Sequence, residues 1–106
     1  MGRQAIAAFM LALALVVGGT AATAADSRTG NRTCSTNYNV GASTSTTSSE
    51  NHSHFYRSDS GATRTLTTPY AINFSSTSFY RVVEYYKLST NGYFSAASTK
   101  CNRNPV

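Results

Sequence analysis

The chain has 106 residues, with nine Lys and Arg, four Asp and Glu, and two cysteines. That length allows one small domain, and its cations are spread along the chain, which argues against a nucleic-acid surface. No amphipathic helical period follows the first 25 residues, and neither does a second apolar run long enough to span a bilayer, so a helical bundle and a membrane-spanning mature chain are both disfavoured.

Residues 1–24 read as a cleaved secretory signal peptide. Arg3 supplies a short basic start, Ala5 to Val17 an apolar core too short to cross a membrane, and Ala22-Thr23-Ala24 a small-residue cleavage pattern. The segment is of bacterial type, and the expected location is extracellular. Losing Arg3 leaves eight Lys and Arg against four Asp and Glu, a charge of about +4 on a mature chain of about 82 residues.

The mature chain is poor in core material, with about eleven Leu, Ile, Val and Phe and with Ser plus Thr at about a third of positions. Its seven tyrosines make up part of the shortfall, because each can bury a ring and keep its hydroxyl near water. A domain this thin needs a staple. In an exported chain, Cys34 and Cys101 read as a disulfide enclosing nearly the whole mature domain.

In chain order, residues 25–33 form a flexible polar leader with no apolar period. Cys34 to Val40 alternates weakly as a strand, and Ala42 to Ser49, almost wholly Ser and Thr, is an edge strand or a loop. Glu50 to Ser58 holds both histidines. On a strand, Glu50, His52, His54 and Tyr56 share one side, and a His-x-His pair sets its two Cα atoms about 7 Å apart. Glu50, His52 and His54 are therefore candidate zinc ligands, against the plainer reading of a solvated polar strand face; no other cofactor is expected. Asp59-Ser60-Gly61 is a turn, Ala62 to Thr68 a strand ended by Pro69, and Tyr70, Ile72 and Phe74 the apolar side of a half-buried strand.

The densest aromatic and β-branched run is Ser78 to Cys101. Asn91-Gly92 predicts a type I′ hairpin within it, pairing Leu88 with Ser95, Tyr86 with Ala97 and Val82 with Cys101. That register turns Tyr80, Val82, Glu84, Tyr86, Leu88 and Cys101 inward, where Glu84 needs an arginine such as Arg57 or Arg64. It turns Arg81, Tyr85, Lys87 and Lys100 outward as a candidate binding face. Residues 102–106 are a short tail. Three sequons begin at Asn31, Asn51 and Asn73.

Together these segments predict an all-β fold, a small antiparallel β-sandwich or flattened barrel of about six or seven strands, with residues 34–101 as the disulfide-closed domain. The strands Phe79 to Leu88 and Tyr93 to Cys101 resemble the last hairpin of immunoglobulin-like and fibronectin-like modules, without their inter-sheet tryptophan. The leading functional expectation is a secreted, non-enzymatic binding module using the Arg81, Tyr85, Lys87 and Lys100 face against an acidic cell-envelope polymer or a protein surface. A second is an antimicrobial or inhibitor protein, since size, export and Ser, His and Tyr content resemble lactococcin-type bacteriocins, which are typically cysteine-free. A third is a small hydrolase, loosely similar to the fungal guanyl-specific ribonucleases. There Glu50 or Glu84 is the base, His52 or His54 the acid, and Arg57, Arg64 or Arg81 the phosphate clamp.

Overall fold

The computed structural model describes residues 25–103. The expected signal peptide and the last three residues of the tail lie outside the described residues. The described residues form five strands: β1 Asp26–Thr33, β2 Tyr38–Ser58, β3 Thr63–Thr77, β4 Val82–Thr90 and β5 Phe94–Arg103. All pairings are antiparallel, in one sheet. The all-β class holds, with five strands in place of six or seven.

The sheet is built on β2, whose 21 residues merge three segments expected to be separate. Along one side β2 pairs with β3, and along the other with β5 over Tyr38 to Thr46 and with β4 over His52 to Ser58. β2 is also sharply bent. Eight residues of extended strand span about 26 Å, yet the Thr44 and His52 side chains of β2 are hydrogen-bonded at 2.7 Å. The bend falls where the β2–β3 register shifts, between Ser45 and His52, and extra residues in a ladder are what bend a strand. The two halves of β2 carry their neighbours with them, so the one open sheet has two parts, here called its layers, that meet where Thr44 bonds His52 and His54.

Pro69 does not end β3. It lies in the register shift, and β3 pairs only with β2, so a missing backbone N–H costs no ladder bond. The turn at Asp59 to Gly61 forms as expected, with Gly61 at φ 91° and the Ser58 N–H bonded to the Ala62 carbonyl.

The Asn91-Gly92 hairpin is not formed. A type I′ turn needs positive φ at both residues, and among the described residues only Asn37, Phe79 and Gly61 have it. β4 and β5 instead run end to end along β2, so Leu88 pairs with His54 and Ala97 with Thr44. The long partner strand offers both segments a complete ladder, which two short strands cannot match by pairing with each other. Gly92 serves another purpose: a Cβ there would lie 2.9 Å from the Glu50 side chain, which packs across it. The immunoglobulin-like hairpin is absent with the pairing it required.

β4 carries one residue more than its neighbours, since Arg57 pairs with Tyr85 but Ser58 with Val83. This bulge at Glu84 reverses the alternation. Val83 is buried where Val82 was expected, and Glu84 stands at the surface, bonded to Arg57 at 2.6 Å. The expected arginine partner is present, but the burial is not.

The polar leader is a strand and not a flexible arm. Residues 26–33 are β1, paired with the free side of β4 from Asp26↔Thr90 to Thr33↔Val82. Gly30 admits the Tyr86 ring, whose hydroxyl would lie 2.7 Å from a Cβ at that position. The first two tail residues likewise extend β5, where Asn102 pairs with Asn39 and Arg103 with Tyr38.

Cys34 and Cys101 form the disulfide, with Cα atoms 5.7 Å apart. Cys34 follows β1 in one layer and Cys101 lies on β5 in the other, so the bond joins the layers at the ends remote from the bend. Its sequence separation of 67 corresponds to about 4 kcal/mol of lost unfolded-state entropy. Replacing both cysteines by serine is expected to lower the unfolding free energy by up to that amount in urea unfolding, with a steeper slope because the uncrosslinked unfolded chain exposes more surface.

Candidate functional site

Alternation along β2 turns Val40, Ala42, Thr44 and Thr46 inward from one half and His52, His54, Tyr56 and Ser58 inward from the other, all buried. Five of these eight are polar for want of apolar residues, so each needs a partner inside the fold. They find one another. The Ala71 carbonyl is 2.8 Å from His52 Nε2, and His52 Nδ1 is 2.7 Å from Thr44 Oγ1. Thr44 Oγ1 is 2.8 Å from His54 Nε2, and His54 Nδ1 is 2.6 Å from Ser76 Oγ, which is 2.6 Å from Tyr56 Oη.

The proton positions follow from one end of this chain. A carbonyl only accepts, so His52 donates from Nε2 to Ala71 and accepts at Nδ1 from the Thr44 hydroxyl. Thr44 has then used its one proton and accepts from His54 Nε2. His54 Nδ1 in turn accepts from Ser76, and Ser76 accepts from Tyr56. With both imidazoles neutral, every donor in the chain is matched to one acceptor.

Burial, and secondarily the neighbouring His52, push the His54 pKa down to about 4. Burial likewise raises that of Tyr56. The imidazoles pack against apolar rings, with Phe74 4.6 Å from His54 and Phe94 6.2 Å from His52.

This arrangement removes the residues from the zinc and hydrolase readings. His52 and His54 do lie on one strand face, as the spacing implied, but all four ring nitrogens are engaged and both side chains are 1% exposed or less. Glu50 is separated from them by the register shift and bonds Ser48 Oγ at 2.9 Å. Among the described residues, no group of three or more His, Cys, Asp or Glu is placed to hold a metal. Thr44, Ser76 and Tyr56 belong to the chain but had no sequence signal beyond alternation, because a bend of β2 on itself is not written in any local pattern.

The four residues of the expected binding face are divided. Tyr85 lies on the outer side of β4 against Arg57, whose guanidinium carbon is 5.1 Å from its ring centre, and against Phe55. Lys87 is exposed beside them, paired with Phe55 and with Thr29 of β1. Lys100 is on β5 in the other layer, paired with Gly41. Arg81 reaches the Cys34 carbonyl at 3.0 Å.

A different cationic group surrounds the disulfide. Arg32 of β1 reaches across to Thr99 of β5, next to Lys100 and Cys101, at 3.4 Å. Arg103, two residues past Cys101, lies over the Tyr38 ring. With Arg81 and with Arg28, which bonds Asp26 and lies over Phe94, five exposed cations line the β1 and β5 edges. Asp26 is the one carboxylate on those two strands, and its own pKa is lowered, first by the Phe94 amide and then by Arg28. No local pattern signals the grouping of Arg28, Arg32 and Arg103, because it exists only once residues 26–33 pair as β1 and Asn102 and Arg103 extend β5.

Two outcomes test the buried chain. Between about pH 6.5 and 4 the unfolded chain binds a proton on His54 that the folded chain refuses. Unfolding free energy is therefore full above that window, falls by on the order of 3 kcal/mol as pH drops through it, and levels below it. Urea unfolding across pH reads this, and His54→Gln is expected to flatten the curve. Thr44→Val keeps the shape but orphans His52 Nδ1 and His54 Nε2, which is expected to cost about 2–4 kcal/mol in the same assay.

Comparison of the chain with protein-family models, with curated proteins and with solved structures returns no match.

Proposed function

We propose that the mature chain is an exported, non-enzymatic binding module for an acidic polymer of the cell envelope, with the cationic seam around the disulfide as its contact surface. The supporting observation is the grouping of Arg28, Arg32, Arg81, Lys100 and Arg103 on two edges that hold a single carboxylate. The other three carboxylates stand elsewhere, with Glu50 at the bend, Asp59 in the β2–β3 turn, and Glu84 on Arg57. Charge is thus segregated on a chain whose composition is only mildly basic, and a one-sided field concentrates a polyanion at that side. The export part of this reading rests on the sequence of residues 1–24. The surface needs no conformational change, because the disulfide fixes the seam from which the cations project.

Co-sedimentation of the oxidised mature protein with bacterial cell walls, with and without their anionic polymers, tests the reading. Binding is expected to require the polymer and to fade as salt is raised. Replacing Arg32, Arg81 and Arg103 together by glutamine is expected to weaken it at least about tenfold, whereas Lys87→Gln changes it by less than about threefold. Binding that survives removal of the polymers, or no binding at low salt, would refute it.

A further inference from the structure

A groove of about 390 Å³ lies beside the seam and shares Lys100 with it. Its lining includes Arg64, Ser75, Thr77, Phe79, Lys100 and Asn102, two cations and three hydrogen-bonding side chains around one aromatic ring, with no carboxylate. We propose that this groove binds one carboxylate-bearing sugar unit of the polymer, a uronate-type residue, with its ring against Phe79 and its carboxylate toward Arg64 and Lys100. The proposal rests on the acidic-polymer reading and supplies the recognition that charge alone lacks.

Three observations carry it. Phe79 holds a positive φ of 62°, a conformation that costs any residue with a Cβ, and its ring is 56% exposed. A strained backbone that presents a large apolar ring to solvent is a feature of binding sites, since glycine would satisfy the turn and a buried ring would satisfy the core. Secondly, the Arg64 guanidinium carbon lies 4.6 Å from the Phe79 ring centre, while its buried Nε has no hydrogen-bond partner among the described residues. Arg28, Arg32, Arg57, Arg81 and Arg103 each donate to a neighbour. A planar guanidinium held on an aromatic ring, with no carboxylate of the described residues paired to it, suits a carboxylate better than a lone ammonium does.

The third observation is how Asn102 reaches the groove. Gly41 lies between Lys100 on β5 and Thr77 on β3, and a Cβ there would collide with Asn102 Nδ2 and lie 2.9 Å from the Ser76 carbonyl. Glycine at this point lets the Asn102 amide lie across the strand, with Ser75 and Thr77 following on β3. Hydroxyls and an amide beside an exposed ring, with cations at the rim, match the mixed apolar and polar faces of an acidic sugar; a bare anion would have no use for the ring.

The test uses the oxidised mature protein, isotopically labelled, titrated at constant ionic strength with trigalacturonate, with a neutral galactose trisaccharide and with inorganic phosphate. Trigalacturonate is expected to shift the amides of Ser75, Thr77 and Asn102 and to bind at least about tenfold more tightly than either other probe. Phe79→Gly is expected to leave the fold intact, because glycine accepts φ 62°, and to weaken trigalacturonate at least about tenfold. Arg64→Lys, which keeps the charge and loses the fork, is expected to weaken it about fivefold. Phosphate binding as tightly as trigalacturonate, no shift at these amides, or a folded Phe79→Gly variant that binds unchanged would each overturn the proposal. Cell-wall binding that depends on the polymer but is untouched by Phe79→Gly would reject the groove and leave the seam standing. Absence of wall binding by the unsubstituted protein would reject the seam reading itself.

Discussion

The fold depends on the Thr44 hydroxyl. One oxygen donates to His52 and accepts from His54, and both histidines lie beyond the bend of the strand that carries Thr44 itself. Apolar layers in a larger sandwich are held by area, but here the inner faces contribute few large apolar side chains, and the buried polar groups must be matched one to one. That matching sets the depth and register with which the two halves of β2 close, because moving one half by a single residue would point its histidines outward.

The chain of hydrogen bonds from Tyr56 to the Ala71 carbonyl, with burial that lowers the His54 pKa, makes the imidazoles part of the structure in the way that apolar side chains are in other cores. Histidine, usually read as a titrating or ligating residue, here takes the place of a core aromatic between Phe74 and Phe94. The disulfide does complementary work at the other end of the layers. Hydrogen bonds close the bend, and a covalent bond closes the open edge where β1 and β5 approach without pairing.

With both histidines buried inside, much of the exposed charge of the protein lies on its edges. Closing the layers along the β1 and β5 edges collects cations that are far apart in sequence, from Arg28 to Arg103, while the β3 side gathers Arg64 and Phe79 beside Lys100. Seam and groove are adjacent because β5 serves both, with Cys101 and Lys100 as consecutive residues.

Composition and local pattern determined the strand class, the Asp59 to Gly61 turn, the disulfide, and the common face of His52, His54 and Tyr56. These are properties of neighbouring residues, or of the only two cysteines available, and they need no knowledge of what lies across the sheet. Strand pairing was decided by tertiary structure alone. Asn91-Gly92 has the composition of a hairpin, but a free ladder along β2 is worth more than a tight turn, and Gly92 is used to seat Glu50. The leader became β1 because β4 had an unpaired side, and the bulge at Glu84 exchanged Val82 for Val83 in the core. Above all, whether a Ser- and Thr-rich strand runs straight or folds onto itself depends on partners ten residues away and on the strand opposite. That contact alone turned a metal-like His-x-His into the hydrogen-bonded centre of the protein.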